Sequence, residues 1–155
     1  MDPARTSWTE ADYPISWHDN HVHGLVFRAG PDGTTGDLLL DLDFITEWLH
    51  PKPGSLQFRV APATLSFREV SDLRIELDYA QPQAAMTPFS IGELSRETFI
   101  FPNGYLSYRW HIAVNCPSGS IEFISPGFHQ ALRGPARLSD TQVLLVSERA
   151  GGFGV

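Results

Sequence analysis

A single cysteine, Cys116, leaves the chain unable to form an internal disulfide, which fits a reducing cytoplasm. Cys116 ends an apolar strand, so a buried, inert thiol is expected there. Long apolar runs are missing as well. The longest, Leu38 to Leu40 and Val143 to Val146, fall far short of a membrane span. Met1 to Arg5 include Asp2 and Pro3 and no apolar stretch, which predicts no signal peptide and a soluble protein. Basic charge is scarce where the chain is most acidic: residues 1–80 hold 13 acidic and 6 basic side chains, and residues 81–155 hold 5 of each. The whole net charge of −7 therefore belongs to the first half. A polyanion would be repelled by it, and no basic stripe with interleaved aromatics compensates. Neither nucleic acid nor membrane is an expected partner.

Complete catalytic motifs are absent too. The sequence contains no Gly-x-Ser-x-Gly elbow, reactive-cysteine context or His-Glu-x-x-His. Glu47-Trp48-Leu49-His50 has Glu-x-x-His spacing but runs into Pro51 and Pro53, without the helix or second copy a di-iron bundle needs. The glycine-rich stretch Ala29 to Gly36 lacks the Lys-Ser/Thr ending of a phosphate loop and reads as a turn. These gaps point away from an enzyme and imply no cofactor.

What the sequence does have is strand periodicity. From Leu106 to Val114 every even position is apolar (Leu106, Tyr108, Trp110, Ile112, Val114), and Ser107, Arg109, His111 and Ala113 fall between them. That is the period of a half-buried strand. Pro117-Ser118-Gly119 turns the chain back into Ser120 to Ile124. Trp110 should be buried at the centre of the core, facing Leu73, Ile75 and Leu77 or the strand Leu38 to Phe44. Further strands are predicted at His21 to Arg28, Asp37 to Thr46, Leu56 to Val60, Thr64 to Phe67 (bent from the last at Pro62), Leu73 to Tyr79 and Phe89 to Leu94. Ser125-Pro126-Gly127 resembles a helix start, with Phe128, Ala131 and Leu132 on one face. Ser139 and Gln142 have capping-box spacing before Val143 to Val146. The expected fold is mainly β: a single antiparallel domain over residues 15–135, sandwich or barrel-like, closed by one or two short C-terminal helices. Residues 136–155 would form the last short helix and a loose glycine-rich tail.

Three groups of residues could carry chemistry. His21 and His23, with His18 just before them, form a His-x-His pair whose imidazoles would share one side of a strand, as in several β-barrel metal sites. His111 is the candidate third ligand. Pro102-Asn103-Gly104 and His111-x-x-x-Asn115 resemble pieces of the second cupin motif, but Gly24 to Gly30 supplies no carboxylate and the gap from Gly104 to His111 is too long. Asp41 and Asp43 share one face of their strand. Separated pKa values would suit them to acid–base work, but a solvated outer face is the simpler expectation. Arg109 and His111 could meet such carboxylates in ordinary cross-strand pairs.

Trp17-His18-Asp19-Asn20, Phe58-Arg59-Val60-Ala61-Pro62-Ala63-Thr64-Leu65 and Gly127-Phe128-x-Gln130-x-Leu132-Arg133 together resemble a group of uncharacterised bacterial proteins, a likeness that implies no activity. His18-Asp19 leading into an antiparallel sheet also resembles small immunity proteins of bacterial polymorphic-toxin systems. That resemblance, with the localised acidity, implies a non-enzymatic interaction module that offers a basic partner protein Asp41, Asp43, Glu47, His18 and Asp19. The alternative expectation is a metal-dependent, cupin-like β-barrel enzyme built on His21 and His23.

Overall fold

The alternating stretches of the sequence become long strands in the computed structural model, which describes residues 4–81 and 83–149. Among these residues the strands are β1 (Ser7–Thr9), β2 (His21–Ala29), β3 (Gly36–Leu49), β4 (Gln57–Phe67), β5 (Ser71–Leu77), β6 (Phe89–Ile100), β7 (Leu106–Cys116), β8 (Gly119–Ser125), β9 (Phe128–Leu132) and β10 (Arg137–Ser139). They pair in the order β1-β9-β4-β3-β2-β6-β7-β8-β5, with β10 also on β4, and each of these pairings is antiparallel. The path is open, ending on β1 and β5, so the barrel expectation does not hold.

Two leaves make up this sheet. β2 meets β6 only at His21↔Ser90 and Val22↔Phe89, a narrow corner between the leaf β1-β9-β4-β3-β2 and the leaf β6-β7-β8-β5. Side chains from strands far apart along the path nevertheless touch. Phe67 of β4 lies 5.0 Å from Trp110 of β7 and 4.7 Å from Phe123 of β8, centroid to centroid. The sheet therefore folds back on itself and closes over one aromatic core.

Trp110 is fully buried there, and its indole N–H donates to the Ser125 carbonyl at 2.9 Å. Its ring neighbours include Tyr13, Phe67 of β4 and Phe128 of β9, and Leu38, Leu40, Leu42 and Phe44 belong to the same core, with Leu73, Ile75 and Leu77 packed against it. Ile112 and Val114 are buried with it and Tyr108 is half-buried. Leu106 departs from the pattern at 52% exposure, at the tip of the β6–β7 hairpin opposite Ile100. Cys116 is exposed, contrary to expectation, since β7 has by then left the core for its turn.

The short C-terminal helices come down to one 3-10 turn. Phe128–Leu132 is a strand paired to β4 from Phe67 to Ala63. One turn of apolar spacing cannot nucleate a helix, and a strand here covers backbone on β4 that would otherwise be bare. Ser139 belongs to β10, and Val143 to Leu145 is irregular and leads into a single 3-10 turn at Val146–Glu148. β4 also runs straight through Pro62. The missing N–H of Pro62 costs little because β9 covers Ala63–Phe67, β10 covers Phe58–Val60, and Pro62 sits in the gap between them. The glycine-rich tail at 151–155 lies outside the described residues.

Candidate functional site

β3 is buried on both faces. Its even positions, Leu38, Leu40, Leu42 and Phe44, enter the aromatic core, while Leu39, Asp41, Asp43 and Ile45 face the other way and are buried as well. Residues 133–149 cover this second face. Leu144 packs with Ile45, Phe58 and Val60 in a small separate apolar cluster, and the polar atoms of the same segment close around the two aspartates.

The solvated-face expectation for Asp41 and Asp43 is thereby overturned: they are 6% and 0% exposed. Arg133 donates to Asp41 at 2.5 Å, and Arg149 donates to the same carboxylate at 2.7 and 3.1 Å. Asp43 accepts the Arg149 Nε–H at 2.8 Å and the Leu144 backbone N–H at 2.9 Å, and lies 2.7 Å from His23 Nε2. Burial alone would raise the Asp41 carboxyl, but bonds from Arg149 and Arg133 reverse that and hold it below its ordinary value. Burial likewise works against Asp43, and His23, the Leu144 amide and Arg149 together bring it below the usual range. Arg149, pushed down by burial, is carried above its ordinary value by the two aspartates. Each carboxylate is thus ionised and saturated with donors, which makes the pair a clamp on the C-terminal segment and leaves no free oxygen for proton transfer.

The histidines do not converge. His21 Nδ1 lies 3.0 Å from the Asp19 carbonyl oxygen, and burial lowers its pKa. His23 falls at a register shift between Val22 and Gly24 and spends its Nε2 on Asp43. His111 stands on the other leaf, with Glu122 at 3.6 Å. Among the described residues no three or more His, Cys, Asp or Glu side chains gather to hold a metal ion. Arg109 faces Glu97 at 3.9 Å, so Arg109 and His111 form cross-strand pairs with glutamates of their own leaf, not with Asp41 or Asp43.

The remaining interaction candidates are more accessible. His18 is exposed, 3.4 Å from the Asp19 carboxylate, and its ring lies 6.4 Å from Trp48. Glu47, next to Trp48, is exposed and paired with Arg59 at 3.2 Å. Asp19 is half-buried at φ 61° and accepts from Gln142 Nε2 at 3.1 Å. An open cleft of about 1130 Å³ is lined by Arg5, Arg59 and Arg133 among others, but each guanidinium is already bonded to a carboxylate of this chain.

Sequence reasoning missed Arg133, Leu144 and Arg149 as partners of the aspartates. A signal was present: Leu39 and Ile45 share the aspartates' face, and two large apolar residues flanking a carboxylate pair mark a covered surface. The three motifs of the family resemblance prove to be neighbours. The Trp17 indole N–H donates to Gln130 Oε1 at 2.8 Å, the Trp17 ring lies 5.2 Å from Phe128, and Phe58 to Leu65 lies within β4, the strand that pairs with β9. They hold the first leaf together. No known family, curated protein or solved structure matches the chain.

Proposed function

We propose that this domain is a non-enzymatic protein-interaction module that docks a basic partner through the exposed carboxylates of its first half. The carrying observation is where that acidity ends up. Asp41 and Asp43 are sealed inside, Glu10 and Asp12 pair with Arg96 and Arg5, and Asp37 pairs with Arg28. Glu69, Asp72, Glu76 and Asp78 remain exposed in one continuous stretch along β5 and its flanks, with Arg68 and Arg74 as the only cations between 68 and 78. A strip with an excess of one sign steers an oppositely charged protein at long range and loses that advantage in salt. The resemblance to immunity proteins supports the same reading, with a secreted or delivered toxin as the kind of partner implied.

The test compares the protein with a Glu69→Gln/Asp72→Asn/Glu76→Gln/Asp78→Asn variant in cross-linking from native extract, at about 0.05 M and about 0.5 M salt. A basic protein captured by the parent at low salt, and lost both in the variant and at high salt, is the expected result. No partner at either salt concentration ends the proposal. A toxin gene adjoining this one supports the immunity form, and a metabolic operon counts against it.

A further inference from the structure

β5 ends the sheet. Its one strand partner is β8, and among the described residues no strand lies along its other side. Alternate backbone N–H and C=O groups on that margin therefore have no ladder partner, the arrangement that accepts an added strand. Two further features adjoin it. Asp72, Glu76 and Asp78 are exposed along the strand, with Arg74 the lone cation among them. At the N-terminal end of β5 lies a cavity of about 420 Å³ with Phe27, Val70 and Leu73 among its apolar walls. Its lining comes from the β2–β3 hairpin, from Val70 and from β5, with no residue of β8. Phe27 is 69% exposed, a large ring left in water at the rim. Ser71 Oγ, which belongs to the same lining, is buried without a hydrogen-bond partner. Arg28, the cation of this rim, is taken up by Asp37 at 3.2 Å, whereas Asp72 is exposed with φ 54°.

We propose that β5 binds an extended, basic segment of a partner protein by strand addition, with one lysine or arginine of that segment seated in the cavity. The inference rests on the interaction-module reading and specifies its mode. Main-chain hydrogen bonds to the free margin supply affinity, and alternate side chains supply selectivity. The methylene stem of the anchoring residue lies on Phe27, Val70 and Leu73, and its charged head reaches Asp72. A second copy of this chain is the wrong occupant. Asp72, Glu76 and Asp78 outnumber Arg74, so β5 against β5 would bring two net-negative strands together, and like charges across a strand pair repel.

The probe is a fluorescein-labelled octapeptide of alternating lysine and valine, titrated by anisotropy against the whole chain. Three comparisons accompany it: the same peptide N-methylated at every second residue, an alternating glutamate–valine peptide, and the Asp72→Asn/Glu76→Gln/Asp78→Asn variant. N-methylation and the triple substitution are each expected to weaken binding by about tenfold or more, the equivalent of two or three hydrogen bonds. The glutamate peptide should not bind, and amide-exchange protection should fall on residues 71–77. Phe27→Ala, at an exposed position, should weaken the lysine peptide without changing the melting temperature. Binding that ignores N-methylation but vanishes in the triple variant overturns strand addition and leaves charge-driven docking standing. Protection centred elsewhere, or a dimer through β5 in sedimentation, overturns the inference as well. Failure of the lysine peptide to bind, while the neutralised strip still abolishes partner capture, removes the strand-addition mode alone.

Discussion

Asp43 and Trp110 show at the level of single residues how different kinds of burial translate into stability. Trp110→Ala removes a ring in contact with aromatics of both leaves and should cost about 3–5 kcal/mol. His111→Ala, its outward neighbour, should cost about 0.5 kcal/mol or less. Urea melts of the two variants check the parity of β7 directly. Asp43→Ala leaves Arg149, whose side chain is only 7% exposed, with Asp41 alone, and strips the buried Leu144 N–H of its acceptor; it should cost about 2–4 kcal/mol. The pH dependence comes from the direction of the shifts. Asp41 and Asp43 have folded-state pKa values below their ordinary ones, so the unfolded chain binds more protons as the solution is acidified. Their contribution is complete above about pH 4 and is lost as the pH falls through the lowered folded values. The margin between the parent and Asp41→Asn in urea midpoints should therefore shrink once the pH drops below about 4. That the two aspartates share a face was legible from their spacing. Their burial was not, because the groups that cover them lie 92 to 108 residues on and local periodicity carries no record of them.

For the elements, the identity of a strand is easier to read than its length or the conformation of the segment after it. β7 and β8 appear almost as their alternation implies, since an apolar row on every second residue has only one register that buries it. The sequence divides β4 at Pro62, because nothing local shows that the neighbouring strand is interrupted opposite that residue. It offers a helix in place of β9, because Phe128, Ala131 and Leu132 fit a single helical turn as well as they fit a five-residue strand. The vacant margin of β4 decides the matter. The irregular run from Asp140 to Arg149 has no periodicity to betray it, yet it completes the outer face of β3. Its buried anchors are Leu144 and the aspartate clamp. Leu144→Ala should cost about 2–4 kcal/mol by opening the pocket between Ile45, Phe58 and Val60. The exposed neighbour, Leu145→Ala, should stay within about 0.5 kcal/mol. Thermal melts of the two variants side by side separate anchoring from surface.

Across the whole molecule, five of the nine strand pairings among the described residues join strands that are not consecutive in sequence. Ser7 lies opposite Ala131, Thr9 opposite His129 and Ser71 opposite Ile124. Each such pairing closes a long loop before any contact rewards it, so refolding should be slow for a chain of this size, on the order of milliseconds to seconds, with no microsecond phase. Stopped-flow tryptophan fluorescence measures this, with buried Trp8, Trp17 and Trp110 as reporters. The β1–β9 ladder also has a meaning on the ribosome. The β2-β3-β4 meander is contiguous and can form as soon as it leaves the exit tunnel. The first strand must wait for residues 128–132 before it has anywhere to pair, and Asp41 and Asp43 keep their water until Arg149 has been synthesised. Through most of translation the nascent leaf therefore carries a bare β4 margin and an uncovered Ile45, Phe58 and Val60, which makes the growing chain, more than the finished domain, the form that needs a chaperone.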